Sequence, residues 1–367
     1  MDWAKVFRRR LARHHLTEPT DSLVTAAADV CGVHAQVMSG AEVALGLRVA
    51  GTTRADVRAA LADGELVKTY GMRGTVHLFP AAEESLWMAA LAHAPIPRPT
   101  LPEPARMTDA EVDAVIAAIA DALDGQALTI DELNAGVVER AGHWAGELVL
   151  PGFDGLWPKW RSVIQLAAYR GALRFGPDRG RKVTYTRPDQ GDPLDGGTAL
   201  AEVACRYLRA YGPVTHQQFA RWLGMAPAGA ATLFAALGDR VRPVEDAWRL
   251  DEPADEVRPC GVRLLPYFDC YTVGSHPRDR VFPGQAYERA LSRGQAGTVP
   301  VVLIDGVVAG IWHQKRSGKR TAVTVEAFTR LTRKQSAEVE SQVARIGEIM
   351  EAVPTLTFGE VTAGRHL

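Results

Sequence analysis

Apolar positions along the chain recur with two periods, and the switches between them mark out its elements. In the first 16 residues the run Val6-Phe7-Arg8-Arg9-Arg10-Leu11 has the spacing of a basic amphipathic helix. Thr20 or Asp21 caps a second helix that ends near Gly32, residues 41–49 form another, and Thr53 caps one that Gly64 closes. Residues 65–70 and 75–79 then alternate apolar and polar, which predicts two strands joined around Arg73-Gly74. Helix, helix, then a two-stranded ribbon is the order of a winged helix.

The pattern recurs twice. After a linker with prolines at 95, 97, 99, 102 and 104, helices are expected over 108–123, 129–140 and 158–173, with a strand at 182–186. A Gly-rich polar stretch at 188–197 marks the next boundary. Helices at 198–210, from N-cap Thr215, and at 228–237 follow, with a wing at 241–250 and a tight turn at Gly224-Met225-Ala226-Pro227. Beyond Pro259 the texture becomes β-rich, at 262–266, 299–304, 307–313 and 321–325, with a type I′ turn at Asp305-Gly306 and a hairpin tip at Ser317-Gly318. A helix at 335–351 and a strand at 355–357 finish the chain. The fold class expected is α+β, tandem winged-helix domains followed by a small C-terminal β-domain. The divisions are 1–94, a linker at 95–107, 108–190, 198–252 and 258–367.

Composition narrows the function less than charge does. Hydrophobic residues make up 47% and charged residues 23% of the 367, an ordinary globular mix. No apolar run reaches the length of about 18 residues that spans a bilayer, and the N-terminus lacks the apolar core of a signal peptide. Cys31, Cys205, Cys260 and Cys270 are scattered without a CxxC, which argues against a disulfide framework or zinc site and fits a reducing cytoplasm. No HExxH motif or phosphate loop is present, so neither a metal nor another cofactor is expected. The net charge is −1, yet residues 258–334 hold 13 Lys/Arg against 5 Asp/Glu. A chain polarised in this way can hold a polyanion through one region, although a solvated basic surface has the same composition.

Several segments together resemble the AlkZ/YcaQ family of winged-helix bacterial DNA glycosylases. They are Val33-His34-Ala35-Gln36-Val37 and the Leu45-Gly46-Leu47-Arg48 after it; Val67 to Leu78 with Met72-Arg73-Gly74-Thr75-Val76-His77; Phe219-Ala220-Arg221-Trp222-Leu223-Gly224; Leu265-Pro266-Tyr267-Phe268-Asp269-Cys270-Tyr271; and Ile304-Asp305-Gly306 through Trp312. They span nearly the whole chain in order. The resemblance implies a monomer acting on double-stranded DNA that contains alkylated purines. It also implies hydrolysis of the glycosidic bond of N7-alkylated purines without a lyase step, and in some members removal of bulky genotoxin adducts or interstrand crosslinks that protects antibiotic producers. Family catalysis rests on a Gln-x-Gln or Gln-x-Asp triplet; here His34 takes the first position and Gln36 the third.

The residue types suit that chemistry. On a helix, positions i and i+2 diverge by about 200°, whereas in an extended segment they point the same way, and Gly32 can end the preceding helix. Gln36 can orient a water, and His34 is either a base or a hydrogen-bond partner. The bland alternative is that both merely cap the helix before them. Glu42 and Asp269 are candidate carboxylates to support the developing positive charge on the sugar, although an aspartate in the setting of Asp269 is more often a structural partner of the backbone or of an arginine. Candidate DNA contacts are Arg73 and His77 on the first ribbon, Arg278 and Arg280 in a basic loop, and His313, Gln314, Lys315, Arg316, Lys319 and Arg320 in the last hairpin, where the resemblance implies a minor-groove contact. No aromatic cage lies beside the triplet in sequence, so an open site that reaches the lesion without extruding it is expected. The rival readings are a winged-helix transcription regulator and, from Leu150 to Gly155, a helix-hairpin-helix glycosylase.

Overall fold

One order of elements, helix–strand–helix–helix–strand–strand, is laid down three times in succession, and each time the last strand sits in the middle of its sheet. The computed structural model describes residues 1–153, 155–189, 191, 194–252 and 257–362. The first run is Leu23–Asp29, Val33–His34, Met38–Gly46, Arg54–Ala62, Leu66–Tyr70 and Val76–Pro80, with Val76–Pro80 antiparallel to both other strands. The second is Asp109–Ala122, Ala127–Thr129, Ile130–Ala141, Ile164–Tyr169, Arg174–Phe175 and Thr184–Thr186, with Thr184–Thr186 central. In the third, Gly196–Tyr211, His216–Leu223 and Pro227–Ala236 precede the ribbon Val241–Val244 and Ala247–Leu250, and a bridge from Val214 to Trp248 again leaves the last strand in the middle.

Local chemistry explains why the helices begin where they do. Thr53, Thr108, Thr129, Thr215 and Thr332 each form a capping box with the residue three positions on, so two backbone N–H groups are satisfied reciprocally at each start. The second helix is capped by Ser22, whose hydroxyl accepts from Thr25 N–H at 3.1 Å, and not by Thr20 or Asp21. The helix expected over 158–173 is broken into a 3₁₀ turn, Lys159–Val163, and Ile164–Tyr169.

Two elements left no amphipathic signal. Helix Glu84–His93 is apolar on several faces because it is enclosed: Trp87 is fully buried, stacks on Phe79 at 4.7 Å and meets Trp222 edge-on at 6.5 Å, joining the first run to the third. The hairpin Leu148–Gly152 with Gly155–Pro158 is inserted between the second and third helices of the second run. It stands where a helix-hairpin-helix was considered; Asp154 of that motif lies outside the described residues, as do 190, 192 and 193 of the polar stretch at 188–197.

The C-terminal part is a five-stranded sheet in the order Val262–Leu265, Val301–Ile304, Val307–Ser317, Arg320–Ala327 and Val353–Phe358. The last strand runs parallel to its neighbour after a crossover through helix Arg333–Ile349, whose Val339, Val343 and Ile346 pack into the sheet's core. N-terminal helix Trp3–Arg13 inserts Phe7 and Leu11 into that same core. The four cysteines are buried and unpaired. Among the described residues no helix is long and apolar enough to cross a membrane.

Candidate active site

The triplet lies where the second helix has just been turned off. Cys31 and Gly32 both adopt positive φ, 64° and 86°, which ends the helix and swings the chain into the sheet. Val33 and His34 then pair with Leu78 and His77, and Ala35 N–H donates to Val76 O at 2.7 Å, so the segment is extended through the triplet. His34 is 7% exposed. Gln36 is exposed, and its Oε1 accepts from Val76 N–H at 3.3 Å, leaving its second lone pair toward solvent.

The hydrogen bonds select a protonation state. His34 Nδ1 accepts from Gln36 N–H at 3.4 Å, so in the neutral ring the proton sits on Nε2. Burial, reinforced by the charge of Arg73, pushes the His34 pKa down to about 3. His77 is buried at 3% exposure, and its Nδ1–H donates to Thr75 O at 2.9 Å; burial and then His34 hold it well below the ordinary histidine range. The His34 ring lies between Phe268, stacked at 4.6 Å and 16°, and His77, at 5.0 Å and 60°. Near neutral pH His34 is therefore a fixed, uncharged donor at Nε2.

The two carboxylates proposed to support the triplet are committed elsewhere. Both Asp269 oxygens bind Arg48, at 2.8 and 2.9 Å, and Oδ1 also accepts from Tyr271 N–H at 2.9 Å; both charged side chains are fully buried. Glu42 is buried on Met38–Gly46 and faces outward to Arg58 at 2.7 Å and Arg54 at 3.5 Å. Asp269 thus holds the C-terminal part to the first run, and Glu42 holds two consecutive helices together.

Three of the candidate DNA contacts also have structural duties. Arg278 donates to the carbonyls of Thr272, Val273 and Ser275 at the end of helix Cys270–Gly274, and not to Asp279. His77 is enclosed in the ring stack. Arg73 is exposed, with φ 56°, and its guanidinium donates to Trp222 O at the C-terminus of His216–Leu223, where a cation complements the helix dipole. Arg280 is exposed. In the last hairpin Lys315, Arg316, Lys319 and Arg320 are exposed around the tip, while His313 and Gln314 are half-buried nearer the sheet.

Several residues at the site come from segments that the sequence does not tie to the triplet. Phe268, φ 55°, comes from 234 positions beyond His34, and its N–H donates to Gly297 O at 2.8 Å. The Tyr169 hydroxyl donates to Gly71 O at 2.7 Å and accepts from Gly74 N–H at 3.1 Å, fixing the turn before His77. Gln165, exposed one helical turn earlier, lies directly over Gly74. The Tyr211 hydroxyl is 3.1 Å from the carbonyls of both Val30 and Cys270. The C-terminal part thus touches the triplet through Phe268, while the second and third runs reach the first run at Gly71, Gly74, Arg73 and Val30. Among the described residues no group of His, Cys, Asp and Glu is placed to hold a metal ion.

A family model described as DNA glycosylase AlkZ-like matches residues 27–349. This chain belongs to the AlkZ-like DNA glycosylase family. An interstrand DNA cross-link repair glycosylase of Streptomyces sahachiroi is 35% identical over 332 residues, covering 85% of this chain and 87% of the relative. The solved structure of Streptomyces sahachiroi DNA glycosylase AlkZ superposes with a TM-score of 0.79 at 29% identity, over 98% of this chain and 100% of that one. The candidate site is an extended segment with one buried imidazole and one exposed amide.

Proposed function

We propose that this glycosylase hydrolyses the N-glycosidic bond of N7-alkylated purines in duplex DNA, including bulky genotoxin adducts and interstrand crosslinks. In this reading the three runs are winged helices, at residues 1–94, 108–190 and 198–252, and with the β-domain at 258–367 they surround the duplex as a monomer. The observation that carries it is the pairing of a neutral His34 with a solvent-facing Gln36 on an extended strand, in a chain of the AlkZ-like family.

The chemistry follows from the leaving group. An N7-alkylguanine is cationic, so when its bond to C1′ breaks, the electron pair goes to the base and the base leaves neutral, with no acid needed. Positive charge builds on the sugar. A water held by the free lone pair of Gln36 Oε1 attacks C1′ and loses its proton to solvent, giving an abasic site. His34, uncharged, does not oppose that positive charge and fixes the Gln36 backbone through Nδ1. The exposed tip of the last hairpin supplies cations for phosphates or the minor groove.

The test is a duplex with one N7-methylguanine, incubated with the protein and then treated with alkali. Strand cleavage at the modified base is expected, with Gln36→Ala binding the duplex but releasing base at least ~100-fold more slowly. A protein that binds this duplex and leaves it alkali-stable overturns the proposed substrate.

A further inference from the structure

Beside Arg73, and away from the triplet, an open cleft of about 490 Å³ lies between helix His216–Leu223 and the segment 276–278. Its lining is polar and cationic, with Gln217, Gln218, Arg221, His276 and Arg278, and Asp246 the carboxylate among the lining residues. We propose that this cleft is a binding site for one backbone phosphate of the DNA strand, with Arg221 as its principal charged ligand. The proposal rests on the duplex-DNA reading above and adds to it a specific phosphodiester contact.

The charge around the cleft is in excess. Arg278 spends its hydrogen bonds on three backbone carbonyls, Arg10 on those of His276 and Pro213, and Arg73 on that of Trp222. Carbonyl dipoles solvate these cations without cancelling them. Arg278 Nε is buried and has no hydrogen-bond partner. Arg73, Arg221 and Arg10 all act on Arg278 as like charges, and burial, with Arg278, Arg10 and Arg221 adding to it, holds His276 below the ordinary histidine range. A field made of arginines that are not consumed by carboxylates favours an oxyanion, and a planar guanidinium suits its geometry.

Two further features fit a phosphodiester. Arg221 is exposed on the face of a helix whose first turn also borders the cleft, so the helix dipole adds to the attraction. Arg221 also directly precedes Trp222, whose carbonyl receives Arg73, and Arg73 bears on His34. Arg73 thus stands between the two, bonded beside Arg221 and acting on His34 as a positive charge. A strand that presents its lesion to Gln36 lays a flanking phosphate over Arg221.

The test uses the full-length protein, the same N7-methylguanine duplex and a set of duplexes each carrying one uncharged methylphosphonate near the lesion. Arg221→Ala should reduce the slope of log affinity against log salt by about 1, whereas Arg221→Lys and Arg98→Ala, at an exposed arginine paired with Asp109, keep it. One methylphosphonate position should erase the affinity difference between the wild type and Arg221→Ala. An unchanged slope in Arg221→Ala, or a loss of affinity that no single methylphosphonate reproduces, overturns the phosphate site. Base release by the wild type is read on the same duplex: if the slope fails while base is released, only the cleft assignment falls, and if base is not released, the substrate reading falls whatever the slope.

Discussion

At the scale of single residues, the site is defined by what burial does to charge. His34 keeps its ring neutral down to a pKa of about 3, so it cannot act as a base that titrates near neutrality. Single-turnover base release should accordingly be flat between about pH 5 and 8; a tenfold fall per pH unit below about 6.5 would instead make His34 a general base of ordinary pKa. The Arg48–Asp269 pair belongs to the same physics with the opposite outcome, since each fully buried side chain meets its opposite charge at 2.8 and 2.9 Å. Arg48→Met leaves a carboxylate buried without its cation and should cost about 3–5 kcal/mol in denaturant unfolding, whereas Arg48→Met combined with Asp269→Leu should recover much of the loss. If the double variant is no more stable than the single one, the pair is held by something other than mutual charge compensation. The extended backbone through residues 33–35 was legible from Gly32 and the spacing after it. The commitment of Asp269 was left as one of two readings, because a carboxylate looks the same in sequence whether it faces an arginine or a substrate.

At the scale of elements, the strand that carries the triplet exists because a helix is stopped sharply before it. A Cβ on Gly32 would stand 2.3 Å from the Phe79 ring, and its φ of 86° disfavours any side chain. Gly32→Ala should cost about 3 kcal/mol and slow base release further than that loss of stability explains, because Phe79 stacks on His77 and His77 meets His34 edge-on. Unchanged kinetics in the folded variant would show that the strand tolerates displacement. The last hairpin is an element of another kind, whose exposed tip contributes little to the core. Replacing Lys315, Arg316, Lys319 and Arg320 by Ser should leave thermal unfolding nearly unchanged while flattening the salt dependence of duplex binding by up to about 4 in slope. Capping threonines and ribbons were readable here because their signals are local. Helix Glu84–His93 was not, since a helix enclosed on several sides has no polar face to set its period.

At the scale of the molecule, His14, His34, His77 and His276 are all buried and all held below the ordinary histidine pKa, first by burial. Below about pH 6.5 the unfolded chain takes up protons on these rings and the folded protein does not, so acid favours unfolding. Stability should be full above pH 7 and decline by roughly 1 kcal/mol per histidine per pH unit on acidification, toward folded values of about 3 for His34 and about 2 for His276. A melting temperature independent of pH from 7 to 5 would contradict this. The sequence by itself determined the series of helices and ribbons, the extended triplet and the basic tip, because each depends on neighbours within a few residues. It also carried the family pattern along the whole chain. Only the tertiary structure decided which arginine meets which carboxylate, that Arg278 and His77 serve the frame, and that Phe268 covers His34 from the far end of the chain. The Arg48–Asp269 pair, 221 positions apart, and the Phe268 cover depend on contacts between remote segments, which periodicity and spacing do not encode.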